Sequence, residues 1–325
     1  MRMQVWLGCD AVPSGLPPTS VTIGAFDGVH RGHRVLLDRA VHEAGPGLLP
    51  VAVTFDPHPM AVIRPELAPP LLTSMDYRLE LFEQVGMGGT LVIQFTPELA
   101  AESAERFATR VLAGTLGARH VVVGRNFRFG HRAAGDVVTL TELGRELGFD
   151  VTALDLEPLG AGDPPPDEDP QVAAVSSTSI RAMIARGDVA SAAVALGRPH
   201  RLSGPVVVGD RRGRELGYPT ANLAVPAGMA VPADGVYAGR FRVGGARSWR
   251  AAAISVGTNP TFDGESRRVE AYVLDAPEGF DVYGQQVDVE FLELIRPQVR
   301  FESVDALVAQ MADDVERTRE LVPVG

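Results

Sequence analysis

The residues best placed to do chemistry are His30 and His33, carried by the stretch VTIGAFDGVHRGH at 21–33, where an apolar run breaks at glycines. Val21–Ile23 reads as a buried strand, and Val35–Ala40 reads as helical. Gly24, Gly28 and Gly32 between them permit a tight turn and a close backbone approach. A strand, a glycine turn and a helix start leave unpaired N–H groups aimed at one point, which suits an anion, and phosphate is the expected guest. Lys and Arg together number 30, and every one of them is arginine. A phosphate-loop lysine, a Schiff-base lysine and a lysine general base are therefore excluded. Phosphate must be gripped by arginine, histidine, backbone N–H groups or a metal.

The elements that position these groups follow in order. LPVAVTF at 49–55 is a second apolar run, stopped by Asp56, Pro57 and Pro59, with His58 at its C-terminal edge. Ligands of open parallel sheets bind outside the carboxyl ends of strands, so His58 belongs either to that crevice or to a solvated turn. Tyr77, Leu81 and Phe82 recur at helical spacing between Ser74 and Gln84, and 90–95 reads as a third strand. Glu98–Leu116 reads as a helix, 120–124 as a fourth strand, Asp136–Leu147 as a helix and 149–156 as a fifth strand. This alternation predicts a doubly wound α/β domain with a parallel sheet. The loop after the fourth strand carries Arg125, Asn126 and Arg128. Residues 159–170 hold too much proline and acid to pack and read as an exposed loop. Ser176–Thr178 precede an apolar helical pattern with Arg181 one turn inside, which reads as a helix cap or as a triphosphate clamp.

Beyond residues 187–203 short β-type runs alternate with Gly, Pro and Asp turns, which predicts an antiparallel β-barrel closed by a C-terminal amphipathic helix at 302–321. The boundary is placed so that 1–186 form the first domain and 187–325 the second. A chain of 325 residues is long enough for two cores, and its formal charge of -11 argues against a nucleic-acid or anionic-membrane partner. Cys9 is the single cysteine, so neither a disulfide within the chain nor a cysteine-cluster metal site is expected. WLGC has the outline of a lipid-attachment site, but the eight residues up to it are too few for a charged start and an apolar core. A cytoplasmic location is expected, and weak self-association is left open.

GAFDGVHRGH, TFDPHP, VVVGRNFRFG and SSTSIR, in that order, closely resemble the adenylyltransferase module of bacterial bifunctional riboflavin kinase/FAD synthetase. GPVVVGDRRGRELGYPTANL, ISVGTNPTF, VEAYVLD and FDVYGQQVDVEF resemble the flavokinase barrel of the same family. The resemblance implies that Gly24, Phe26, Asp27, Gly28, His30 and His33 meet the ATP phosphates, with Ser177, Thr178 and Arg181 on the leaving β and γ phosphates. It implies that His58 and Asn126 contact nucleotide or flavin, and that Asp27 orders the turn or a metal shell; a purely structural turn role fits Asp27 as well.

In the second half the resemblance puts Gly204, Gly213, Arg214 and Gly217 around ATP, Thr220 and Asn222 at the metal and phosphates, and Glu270 at the carboxylate that orients the ribityl hydroxyl and takes its proton late. Arg214 also fits as a solvated loop charge. Alternation puts Val269, Ala271 and Val273 on one strand face and Glu270 with Tyr272 on the other, while Glu290 and Glu293 compete for the role. Tyr272 is a departure from the resemblance, since many members of the family carry histidine there.

The implied function is ATP-dependent phosphorylation of riboflavin to FMN in the C-terminal domain and adenylylation of FMN to FAD in the N-terminal domain, with Mg²⁺ accompanying ATP. Three alternatives compete. One is a transferase joining CMP to a phosphorylated alcohol, and another is a single-activity FMN adenylyltransferase with a degenerate second half. In the last, the barrel binds flavin or regulates without catalysis.

Overall fold

The computed structural model describes residues 2–155, 175–208, 218–261, 264–277 and 279–322. Contacts divide the chain into two compact units, Met1–Pro69 with Met75–Ser176 and Pro70–Ser74 with Ser177–Gly325.

In the first unit β1 (Gln4–Leu7), β2 (Thr19–Ile23), β3 (Leu49–Asp56), β4 (Gly89–Gln94), β5 (Ala118–Gly124) and β6 (Asp150–Leu154) form a parallel sheet in the order β1-β4-β3-β2-β5-β6. β2 is buried at every position and lies between β3 and β5, as a central parallel strand covered on both faces must be. Alternation sorts the strand residues between two cores. Val51, Val53, Val121 and Val123 join Leu112 and Leu140 on one side, and Ala52 and Val122 join Leu37 and Phe82 on the other. Both faces are therefore clad, as the doubly wound reading requires.

Helices α1 (Arg31–Ala44), α2 (Pro59–Ile63) and α3 (Met75–Val85) follow in order. The helix read over Glu98–Leu116 is interrupted. Thr96 caps α4 (Pro97–Ala100), and Ser103 caps α5 (Ala104–Phe107), which runs on into a wider π-type segment at Ala108–Thr115. Two hydroxyls that each accept a backbone N–H start a new helix where apolar periodicity alone reads one. α6 (Val137–Leu147) begins at the Asp136 cap and ends at the left-handed Gly148. β1 is a short edge strand that burial of Trp6 ties to β4; four residues are too few to show a period.

The second unit begins with α7 (Ser177–Ala185) and α8 (Val189–Leu196). β7 (His200–Val207), β8 (Thr220–Leu223), β9 (Gly235–Val243), β10 (Arg250–Thr261), β11 (Gly264–Val273) and β12 (Gln286–Pro297) then form, among the described residues, a closed antiparallel barrel ordered β10-β11-β8-β7-β12-β9. Its interior packs Leu202, Tyr237, Phe241, Ile254, Val289 and Phe291. The Tyr237 hydroxyl donates to Ala233 O at 2.6 Å, and burial pushes its pKa up to about 12. The C-terminal helix α9 (Val304–Leu321) starts at the Ser303 cap and is pinned to the end of β12 by the Arg296–Asp314 ion pair at 2.7 Å.

Gly204 of β7 has a packing reason to be glycine. A Cβ there would lie 2.2 Å from Ala224 O, a backbone atom that no side-chain rotation can move. Gly204→Ala is expected to destabilise the barrel by about 2 kcal/mol, within the range for overpacking. The check is a urea transition whose midpoint falls at constant slope; an unchanged midpoint would contradict it.

Candidate active sites

The turn between β2 and α1 is held in an unusual backbone. Phe26 and Val29 have φ of 49° and 39°, and Gly28 between them has φ of 86°. Left-handed φ at a bulky and a β-branched residue is strained, and such strain persists where surrounding packing over-determines it. Both side chains are buried in the core beside Leu37 and Phe82. The next residue, His30, is itself buried and is the N-cap of α1, its Nδ1 accepting the His33 N–H at 3.3 Å. A neutral His30 ring that accepts at Nδ1 carries its proton on Nε2, a donor suited to an anion.

The His30 and His33 rings stack with centroids 3.6 Å apart, and Phe26 meets His33 edge-on at 5.3 Å. Gly32 makes room for this, since a Cβ there would stand 3.3 Å from the His30 ring. Gly24, Phe26, Asp27, Gly28, His30 and His33 are thus gathered in one turn. Asp27 is buried and lies 3.6 Å from the buried Arg78 of α3, an ion pair that sequence reading did not find. Burial lowers the Arg78 pKa, and the Asp27 and Asp56 carboxylates partly offset it.

Beside this turn, at the carboxyl ends of β2, β3, β4 and β5, lies a cavity of about 680 Å³ walled by Phe55, Phe95, Phe107, Phe127 and Phe129. Phe55 meets Phe95 edge-on, and Phe127 stacks on Phe129 at 5.3 Å. Such a crevice suits a flat aromatic ligand. None of these phenylalanines stands out in the sequence as a site residue, although those that end or follow β3, β4 and β5 are the signal available. His58 caps α2, with Nδ1 accepting the Met60 N–H at 3.2 Å, and the next two residues line the cavity. Asn126 is exposed in the turn after β5. Ser177, Thr178 and Arg181 lie in the first two turns of α7, which groups with the second unit, and Arg181 Nε donates to Pro70 O at 2.7 Å.

On the barrel, Val269, Ala271 and Val273 enter the core, while Glu270 and Tyr272 face outward with Thr220 and Ser255 into a cavity of about 230 Å³. Leu307, Met311 and Val315 of α9 form its opposite wall. Glu270 stands opposite Asn222 in the β11–β8 register, and the Thr220 hydroxyl donates to Glu270 Oε2 at 3.2 Å. Thr220 and Tyr272 also border a second cavity, of about 660 Å³, that reaches Asn222, Asp281 and Tyr283. Thr220 and Tyr272 therefore lie at the junction of a mostly apolar slot, which Glu270 lines, and a more polar cleft, which Asn222 lines. Tyr272 packs edge-on against Tyr218 at 5.2 Å.

The rival carboxylates have other roles. Glu290 is buried between Arg201 at 3.0 Å and Arg240 at 2.6 Å, and Glu293 is exposed and lines neither cavity. Gly204 lies in β7, as described. Gly213, Arg214, Gly217 and the loop at 159–170 lie outside the described residues. Among the described residues no group of three or more His, Cys, Asp or Glu could hold a metal, and no helix is long and apolar enough to cross a membrane.

A parallel sheet with an anion-ready helix start at its carboxyl edge, in one chain with a barrel bearing a hydroxyl, an amide and a carboxylate, defines a two-module nucleotide-dependent transferase. A FAD synthetase family model matches residues 13–160, and a riboflavin kinase family model matches 196–322. The bifunctional riboflavin kinase/FMN adenylyltransferase of Escherichia coli (strain K12) is 36% identical, the match covering 92% of this chain and 91% of that one. Its counterpart from Listeria monocytogenes is 34% identical with the same coverage. A solved Streptococcus pneumoniae chain, described as a macrolide-efflux protein, aligns with a TM-score of 0.83 at 31% identity over 99% of this chain and 100% of its own. The chain belongs to the bifunctional riboflavin kinase/FMN adenylyltransferase family.

Proposed function

We propose that the barrel phosphorylates riboflavin to FMN and that the sheet unit adenylylates FMN to FAD, each at the site described above. The observation that carries this reading is the pairing of Thr220 with Glu270 at the meeting of two cavities, in the same chain as the stacked histidines at a helix start. In the kinase reaction the ribityl hydroxyl oxygen forms a bond to the γ-phosphorus of ATP and the bond to ADP breaks. A primary alcohol is too weak an acid to ionise beforehand, so Glu270 first orients the hydroxyl and accepts its proton late. The flavin ring takes the aromatic slot under α9, and the nucleotide takes the cleft that holds Asn222.

In the adenylyl transfer an FMN phosphate oxygen bonds to the α-phosphorus of ATP and pyrophosphate leaves. The protein positions the groups and stabilises growing charge. His30, His33 and the first N–H groups of α1 hold the phosphates, and Ser177, Thr178 and Arg181 are assigned to the pyrophosphate end. The phenylalanine cavity holds the isoalloxazine ring, and His58 and Asn126 border the flavin phosphate or nucleotide. Asp27 orders the turn from its buried pair with Arg78.

Mg²⁺ accompanies ATP in both reactions. Thr220 and Asn222 alternate with the buried Ala221 and so share the Glu270 face, offering hard oxygen donors, which is the ligand type this ion takes from protein in small number. When bound, the ion neutralises charge on the phosphates. The working division between modules is 186/187, although contacts draw α7 into the second unit. A cytoplasmic location and weak self-association complete the reading; sedimentation at several concentrations checks the latter.

The test is chromatographic. With riboflavin and MgATP, FMN should appear first and FAD after it, and a parallel reaction begun from FMN should yield FAD directly. Conversion of FMN with riboflavin untouched would favour the single-activity alternative, and no change in either flavin would overturn the assignment of substrate.

A further inference from the structure

Arg78 of α3 is buried, with its side chain 3% exposed, and its contacts are long. Nη2 is 3.6 Å from Asp27 Oδ1, Nη1 donates to Thr54 Oγ1 at 3.4 Å, and Nε has no hydrogen-bond partner among the described residues. A buried cation so loosely paired costs stability, and apolar residues in place of both Arg78 and Asp27 would avoid that cost. What the guanidinium touches gives it a purpose. The Thr54 hydroxyl donates in turn to Ala25 O at 3.1 Å, so Arg78 reaches the turn at Ala25 through Thr54 and at Asp27 directly. Between and just beyond those anchors lie the left-handed Phe26, Gly28 and Val29, and then the His30 cap.

We propose that Arg78 is a positioning residue for adenylyl transfer, holding the strained turn through Asp27 and Thr54 so that His30 and His33 meet the phosphates in register. It is buried and does not line the phenylalanine cavity, so it acts through Asp27 and Thr54. The inference rests on the adenylyltransferase reading above. Because the histidines act on charge that grows in the transition state, displacing them lowers turnover more than nucleotide affinity.

The experiment uses full-length enzyme, with FAD formation from FMN at varied MgATP and FMN formation from riboflavin measured on the same preparations. Arg78→Met is expected to lower kcat for FAD about 30-fold while KM for ATP stays within about threefold. Arg78→Lys should recover to within about fivefold of the parent, and FMN formation should be unchanged in both. Thr54→Val, which removes both the acceptor of Arg78 Nη1 and the bond to Ala25 O but leaves the Asp27 pair, should lower kcat about tenfold and keeps the test open should Arg78→Met not fold. Because the pair acts as a unit, Asp27→Asn combined with Arg78→Met should be no slower than Arg78→Met alone. Three results would overturn the proposal: a kcat within threefold of the parent in both Arg78→Met and Thr54→Val, equal losses in the Met and Lys variants, or a loss confined to KM. Parent enzyme that makes no FAD from FMN would overturn the adenylyltransferase reading and this inference with it.

Discussion

Glu270→Gln is expected to lower the turnover of riboflavin to FMN about 1,000-fold, close to 4 kcal/mol of barrier, while FAD formation from supplied FMN continues at the parent rate. The substitution is nearly isosteric. A glutamine oxygen can still accept from the Thr220 hydroxyl, which lies 3.2 Å from Glu270 Oε2, so the local packing survives and only the basic group is lost. The control is Glu290→Gln. That carboxylate is buried between Arg201 and Arg240, and neutralising it leaves two arginines without their counter-charge. Removing one partner of such a buried pair is expected to cost about 3 kcal/mol of barrel stability. The flavin kinetics of molecules that remain folded should then be little changed. Turnover of Glu270→Gln above a tenth of the parent would remove Glu270 from proton transfer.

His30 combines two roles that can be separated. His30→Ala is expected to reduce FAD formation at least 100-fold, the scale for losing one placed donor to developing charge. It should also cost about 1 kcal/mol of stability, because the His33 N–H loses its acceptor. His30→Asn should restore the cap, since asparagine is among the best N-cap residues, without restoring turnover. Riboflavin phosphorylation should be unaffected in both variants. A stable His30→Asn enzyme with parent-like FAD formation would mean that the ring serves only to start α1.

Much of this was legible because the signals are local. The glycines and histidines of the first turn lie within a dozen residues, apolar runs at strand length alternate with helical periods, and the shift to short β-type runs marks the barrel. The histidine turn, the clad parallel sheet and the outward face of Glu270 follow from these patterns. The interruption between α4 and α5 was legible in principle from Ser103, but the apolar period overrode it.

The sequence by itself determined the two architectures and the residue types at each site, because secondary structure and face alternation depend on neighbours along the chain. It could not choose between Glu270 and Glu290. Both lie on strands with similar patterns, and only the barrel's closure puts Arg201 and Arg240 against Glu290 and leaves Glu270 beside a cavity. It did not gather five phenylalanines from a strand, a helix and separate loops into one crevice, nor join Arg78 to Asp27, nor draw α7 into the second unit. Those outcomes were decided by the tertiary structure, because burial and pairing belong to side chains that meet in space, and the partners in each case come from distant parts of the chain.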